Sequence, residues 1–469
     1  MKKIFLILSL LIFGDFSAQR GWDLQQCISY AINHNITLKQ SALNNEINKN
    51  NSNQSQAGVL PSLNLGASHT YNFGKTIDRF TNTFANTQVL SQNFYVSSNM
   101  VLWSGLSQYN NIKASEYNYL SGVENLKQQQ NDLSLNIANA YITTIFSEEL
   151  LKISQNQLEI SKEQLERTQK LVNAGSISKS IEYDIMAQLA NEEVNVTTAD
   201  NNYQLSLLNL KQLMNLDSIS NFIIVKPNVE VQAEQLLNAN VIYIYETALK
   251  NQPGIKSGFY SIISADKTYA ASKGKISPTI SLTASMGTGT SGLAKDITGV
   301  RTAGYQLSGL TNKGDSVYTP VTELVTKQKP FIDQFNSNVN KSVGFTLTIP
   351  LFNGLNTYTS IKNAKINSLN ARFSQDLKKQ NLYKTIVQAY ANAKASLNKY
   401  VATKASVAAA NESFKYAQQK FNAGVINAFD FSTAKNRLFA AESNLLQSKY
   451  DYIFKLKVLD YYQGIPLGF

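Results

Sequence analysis

A long stretch of this chain occurs twice, and the distance between the two copies stays constant over more than a hundred residues. Shifting the sequence by 249 positions lays Trp103 and Gly105 on Phe352 and Gly354, Ile112 and Lys113 on Ile361 and Lys362, and Tyr141 on Tyr390. It also lays Asn173-Ala174-Gly175 on Asn422-Ala423-Gly424, and the register continues to Leu189 on Leu438, Tyr203 on Tyr452 and Leu210 on Leu459. Chance matches drift out of phase, whereas a constant offset without gaps marks a duplicated structural unit. The fold must therefore be one that two copies of a single supersecondary unit can build.

That unit contains long helices. The 8 prolines leave two spans empty, between Pro61 and Pro227 and between Pro350 and Pro466, and proline-free runs of that length favour helices or helix pairs. Within them Leu151, Leu158, Leu165 and Val172 recur every seven residues, as do their counterparts Tyr400, Val407, Phe414 and Phe421. Seven-residue spacing over four positions is a coiled-coil seam and needs a partner helix of similar length. The helix that follows each Asn-Ala-Gly turn supplies one. Gly105 to Asn173 spans 69 residues, about 100 Å of helix at 1.5 Å per residue.

Strands precede each long helix. Trp22 to Gln56 reads as one helix, with Leu24, Cys27, Ile28, Ala31 and Ile32 at helical spacing; then the period changes to two. From Val59 to Ser68 apolar or small residues alternate with Ser62, Asn64, Gly66 and Ser68, the pattern of a strand with a different solvent on each face. Phe94 to Trp103 is a second strand, joined to the first by a loop rich in Asn, Thr and Phe. Val241 to Lys273 matches the first helix at an offset of 217, and Ile276–Ala284 and Val343–Ile349 alternate as their partners do. The two offsets differ by 32 residues, inserted within the Gly-, Thr- and Ser-rich loop from Gly287 to Asn340. Insertions of that size belong at exposed loop tips, so this end of each strand pair faces outward.

The first residues, Met1-Lys2-Lys3, an apolar run from Ile4 to Phe13 and then Phe16-Ser17-Ala18, form the pattern of a secretory signal peptide. The domain reading is accordingly a signal peptide at 1–18, a first repeat at 19–217, a linker at 218–240 and a second repeat at 241–469. No later segment has the roughly 18 consecutive apolar residues of a membrane helix. Cys27 alone cannot form an intrachain disulfide, and His34 and His69 offer no metal-ligand set, so no metal or cofactor is expected. The formal charge of +11 is scattered along helical faces without a basic stripe, which argues against nucleic acid. No nucleophile-base set or phosphate loop stands out, and no enzymatic activity is expected.

Four strands with one apolar and one polar face cannot close on themselves, because the smallest membrane barrels use about eight. An open edge in lipid is forbidden, so the strands must be pooled between copies of the chain. Three sets of paired motifs then stand in fixed order: Pro61 and Pro278 at strand entry; Trp103-Ser104-Gly105 and Phe352-Asn353-Gly354 at strand exit; Val172-Asn173-Ala174-Gly175 and Phe421-Asn422-Ala423-Gly424 at the turns. This order resembles the TolC family of outer-membrane efflux proteins over the whole mature chain, the last motif being close to the family's Phe-x-x-Gly pattern. The resemblance implies an α+β membrane protein, a homotrimer whose copies each contribute four strands to a shared transmembrane β-barrel. It also implies coiled-coil helices forming an α-helical periplasmic barrel. Its function would be that of a passive outer-membrane channel, set in outer-membrane lipid and fed by an inner-membrane pump through a periplasmic adaptor protein. The rival reading is an exported coiled-coil spacer of the cell envelope, which accounts for the heptads and leaves the strands unused.

Candidate functional residues cluster at and beyond the turns. Gly175 and Gly424 end long helices, where glycine relieves a left-handed backbone. The resemblance implies that Asn173, Ala174 and Gly175, with Asn422, Ala423 and Gly424, dock the adaptor. Glu182, Asp184 and Asp430 follow seven, nine and six residues after their glycines, and acids early in a helix complement its dipole. Family members carry acids six and nine positions after this glycine, in rings that constrict the tunnel and select cations. Ile181 and Thr433 occupy two of those four places here, so each repeat keeps one acid, and no basic tip residue that would lock a closed state by pairing stands out, Lys179 being the nearest candidate.

Overall fold

The computed structural model describes residues 21–86, 88–216, 222–227 and 240–468. The expected signal peptide lies outside them, as does most of the 218–240 linker. The chain divides into a sheet unit, Asn50–Glu116 with Ile263–Leu369, and a helical unit, Met1–Lys49 with Tyr117–Ile262 and Asn370–Phe469.

The sheet unit is built on four antiparallel strands: β1 (Ser62–Asn72), β4 (Val89–Trp103), β5 (Thr279–Ser291) and β8 (Asn340–Thr348), in the order β1-β4-β5-β8. Register sorts the side chains by solvent. Met100 stands opposite Leu282 and Leu282 opposite Phe345, and Leu65 opposite Val96 and Val96 opposite Met286, all on one face. On the other face Asn64 pairs with Ser97, Ser97 with Ser285 and Ser285 with Ser342, the last two joined by a 2.8 Å hydroxyl contact. Since successive residues of a strand point to opposite sides, the alternation seen in the sequence becomes one apolar and one polar surface. β1 and β8 are the edges; Leu65 is 82% and Phe345 74% exposed.

Two hairpins occupy the loops between these strands. β2 (Thr76–Asp78) pairs with β3 (Thr83–Ala85), and β6 (Lys295–Leu310) with β7 (Ser316–Gln328), followed by the short helix α7 (Phe331–Ser337). The inserted segment, read from sequence as a loop, is therefore largely a β-ribbon. Its register shifts between Ile297 and Gly299, between Thr302 and Gly304, and between Leu307 and Gly309. Bulges of this kind insert an unpaired residue and break the two-residue period, which hides the strand from an alternation test.

Four helices run into or through the helical unit in long spans: α3 (Ser107–Asn173) and α8 (Asn356–Asn422), 67 residues each, return through α4 (Lys179–Met214) and α9 (Ala428–Tyr462). Each long helix leaves its strand through two consecutive left-handed residues, Gly105 and Leu106 at φ +60° and +62°, and Gly354 and Leu355 at +65° and +63°. A leucine there carries roughly 1–2 kcal/mol of strain that a glycine would not.

The single helix expected from Trp22 to Gln56 is two, α1 (Leu24–His34) and α2 (Ile36–Ala57). Asn35 takes an extended conformation (φ −61°, ψ 124°); its Oδ1 accepts from Leu38 N at 3.1 Å while its Nδ2 donates to Leu213 O at 3.1 Å. One asparagine thus ends α1 and caps α2, which helical periodicity cannot reveal. At the offset of 217, Gln252 bends the chain likewise (φ −67°, ψ 123°) between α5 (Val241–Asn251) and α6 (Pro253–Gly274), whose first residue is proline, the position that residue favours.

The core of the helical unit gathers Leu24, Cys27, Ile137, Tyr141, Ile145, Leu210 and Met214, with a second cluster around Ile244, Ala248, Ile386, Ala393 and Leu459. Of the linker, residues 222–227 and 240 are described. The first of these stretches runs beside Trp22, with Trp22 N donating to Ile223 O at 2.7 Å and Val225 N to Trp22 O at 2.9 Å. The Tyr141 hydroxyl donates to Trp22 O at 3.1 Å and also contacts Val225 O.

Candidate functional site

The two turns at the ends of α3 and α8 have the same hydrogen-bond pattern. Gly175 N donates to Val172 O at 2.9 Å and Ser176 N to Leu171 O at 2.9 Å; Gly424 N donates to Phe421 O at 3.1 Å and Val425 N to Lys420 O at 2.8 Å. Paired bonds of this spacing are a Schellman motif, which satisfies the last carbonyls of the helix and needs a left-handed residue in the turn. Gly175 at φ +73° and Gly424 at φ +71° supply it. A Cβ built on either would meet nothing within 4 Å, so conformation and not space demands glycine here. Asn173, Ala174, Asn422 and Ala423 are exposed around these turns, as are Val425 and Phe429.

The return helices begin with side-chain caps. Ser178 Oγ accepts from Ser180 N at 3.3 Å ahead of α4, and Asn427 Oδ1 accepts from Asp430 N at 2.8 Å ahead of α9. Glu182 and Asp430 lie in the first turns of their helices, where a carboxylate complements the dipole. Asp430 and Asp184 are exposed and Glu182 is partly buried. Asp184 lines a cleft of about 600 Å³ between α4 and α9 with Gln188, Glu192, Phe429, Ser432 and Thr433; Glu182 and Asp430 are not among its lining residues. Asp184 and Thr433, the ninth positions of the two repeats, thus line the same cleft, and Glu182 and Asp430 lie in the first turns of their helices outside it. Lys179 lies 5.9 Å from the centroid of the Tyr183 ring. At the turns themselves Arg167 of α3 reaches across to the other hairpin, its guanidinium donating to Asn422 Oδ1.

Beneath the turns lies a buried ion pair that spacing from the glycines does not mark. Lys435 of α9 is 1% exposed. Its ammonium donates to Glu192 Oε1 and Oε2 of α4 at 3.0 and 3.2 Å, to Gln157 O of α3 at 2.9 Å and to Ser161 Oγ of α3 at 2.5 Å. Gln188 Nε2 donates to Glu192 Oε1 at 3.1 Å, and Ser432 Oγ in turn meets Gln188 Oε1. Burial pushes the Lys435 pKa down, opposed by the hydrogen bond and charge of Glu192. The sequence held a signal: Ile185, Glu192 and Ala199 are seven apart and all buried, so the glutamate interrupts an apolar seam.

A four-stranded antiparallel sheet with one apolar and one polar face, joined in one chain to long helical hairpins that turn on glycine caps, makes this an α+β protein. Among the described residues no helix is long and apolar enough to cross a membrane, and no cluster of His, Cys, Asp or Glu has the makings of a metal site. The chain belongs to the outer membrane efflux protein family, whose model matches residues 27–216 and 244–460, and it is accordingly a protein of the outer membrane. It is 23% identical over 459 residues to outer membrane protein TolC of Escherichia coli (strain K12), covering 97% of this chain and 84% of that one. It is 21% identical over 367 residues to outer membrane efflux protein BepC of Brucella suis biovar 1 (strain 1330), covering 76% and 69%. In fold it matches the outer membrane protein VceC of Vibrio cholerae, with a TM-score of 0.74 at 15% identity over 94% of this chain and 96% of that one. It likewise matches the CmeC outer membrane channel of Campylobacter jejuni, at 0.73 and 16% over 94% and 85%.

Proposed function

We propose that three copies of this chain pool their strands into one twelve-stranded barrel and act as a passive outer-membrane duct. Substrate would enter from an inner-membrane pump through a periplasmic adaptor and leave to the exterior. The observation that carries this reading is the four-stranded sheet, apolar on one face, polar on the other, with both edges open. Four strands are too few to enclose a lumen, and an unpaired edge in lipid leaves backbone groups unsatisfied. Edge joined to edge between copies removes that penalty, turns Leu65, Leu282 and Phe345 to outer-membrane lipid and turns Asn64, Ser97 and Ser285 to water. Family membership supports three copies over two.

On this reading Asn173, Ala174, Gly175, Asn422, Ala423 and Gly424 form the surface that meets the adaptor, and Asp184, Asp430 and Glu182 set the ion preference of the periplasmic aperture. The duct lowers no chemical barrier, so it has no use for a catalytic group or a cofactor; the energy comes from the pump. A coiled-coil spacer would give no reason for a sheet with two solvents. The deciding experiment is current through planar bilayers: discrete, cation-preferring steps support the duct, and folded protein that inserts but passes no ions refutes it.

A further inference from the structure

We propose that Lys435 and Glu192 are positioning residues that fix the axial register of α9 against α3 and α4, and thereby the height at which Asp430 and Asp184 stand near the turns. This rests on the duct reading for its consequence, but the register itself does not.

Three observations carry it. The ammonium has acceptors on two other helices at once, Glu192 on α4 and Gln157 and Ser161 on α3, at 2.5 to 3.2 Å. Along α9 and α4 the seam neighbours are apolar and buried, Phe431 and Leu438 flanking the lysine and Ile185 and Ala199 the glutamate, while α3 keeps further buried polar side chains, Ser154 and Thr168, above and below the network. A slip of one residue moves a helix by about 1.5 Å and of one turn by about 5.4 Å. A slip of α9 against α4 would part the Lys435 ammonium from the Glu192 carboxylate, whose own seam neighbours Ile185 and Ala199 are apolar, leaving buried charges unpaired. A polar group at one core position of a coiled coil selects a register for this reason.

The third observation is that the helical scaffold does not require the pair. A shift of 249 residues places Met186 on Lys435, Glu192 on Ala441, Gln157 on Ser406 and Ser161 on Ala410, so the equivalent layer of the other hairpin contains no such charges. The network occurs where α9 meets the first hairpin, five residues beyond Asp430 and eight beyond Asp184. Those intervals are about 7.5 Å and about 12 Å of helix, close enough for register at the pair to decide register at the acids.

The test uses the full-length protein with Cys27→Ala, which removes its single thiol, and with Gln188→Cys and Ser432→Cys, whose parent side chains meet across α4 and α9. With Lys435 and Glu192 present, oxidation should join the two cysteines in high yield. In the Lys435→Met/Glu192→Leu double variant, which keeps the bulk and removes both charges, the yield should fall severalfold while helicity is retained. Undiminished yield would overturn the proposal. Glu192→Gln, a gentler change that keeps a hydrogen-bonding group, should lower the yield in the same direction and decides the matter where the double variant does not fold. In planar bilayers the double variant without added cysteines should lose cation preference, and oxidised Gln188→Cys/Ser432→Cys in that background should restore it. A reduced crosslink yield with an unchanged reversal potential would refute the link to the acids. Absence of current from the parent protein would sink the duct reading and leave the register decided by crosslinking alone.

Discussion

Leu282 and Thr283 are neighbours on β5 whose side chains lie on opposite faces of the sheet. Leu282 stands between Met100 and Phe345 on the apolar face; Thr283 stands between Asn99 and Gly344, with its hydroxyl donating to Gly344 O at 3.2 Å. If the apolar face lines the proposed barrel's exterior, Leu282→Lys directs an ammonium toward lipid, at about 2–4 kcal/mol per chain near the middle of the bilayer. In the proposed trimer the penalty recurs in each chain, and about 2 kcal/mol alone is roughly a thirtyfold shift in a folding equilibrium. Thr283→Lys directs the same charge toward water and loses one neutral hydrogen bond, about 1 kcal/mol. Urea titration of folding into lipid vesicles, read by the heat-modifiable gel band, should show Leu282→Lys strongly destabilised and Thr283→Lys close to the parent. Equal effects from the two substitutions would refute the assignment of faces, since they place the same charge at adjacent positions of one strand.

Gly175→Ala and Gly424→Ala should each destabilise their turn by about 1–2 kcal/mol, because the left-handed conformation is strained for a residue with a Cβ; faster proteolysis at the turns measures it. Asp184→Asn together with Asp430→Asn should reduce cation selectivity, and an unchanged reversal potential would show that these acids only complement their helices. Burial raises the Glu442 pKa, so its protonated form is the one the fold favours. The associated stability is present below the unfolded carboxylate pKa, about 4.3, and is lost as pH rises through the higher folded value. Glu442→Gln should therefore match the parent at low pH and exceed it at neutral pH in thermal unfolding.

The sequence made the helices, four main strands and turns legible because each has a period or a cap that survives without tertiary context. Leu151 to Val172 keeps its seven-residue step, and Gly175 and Gly424 end α3 and α8 where the repeated motif places them. What escaped was structure made by departures from a period. Asn35 breaks a helix that its apolar positions would have continued, through one side chain bonding to a backbone 178 residues away. The β6–β7 ribbon hides behind three bulges, each completed by a glycine that reads as loop. The acids at the turns stand out in sequence by their distance from glycine, whereas Lys435 carries no such mark and Glu192 only its place seven residues from Ile185 and Ala199, because a charge in a helical pattern is ordinarily on the solvated face. Only the pairing of two such interruptions on facing helices makes them a buried layer, and pairing is a property of the folded chain.

The central claim is that the strands of this protein are shared between copies. Native mass spectrometry of the protein extracted in mild detergent tests it most directly. The account predicts one folded species with the mass of three chains, and a folded species with the mass of one chain would contradict it.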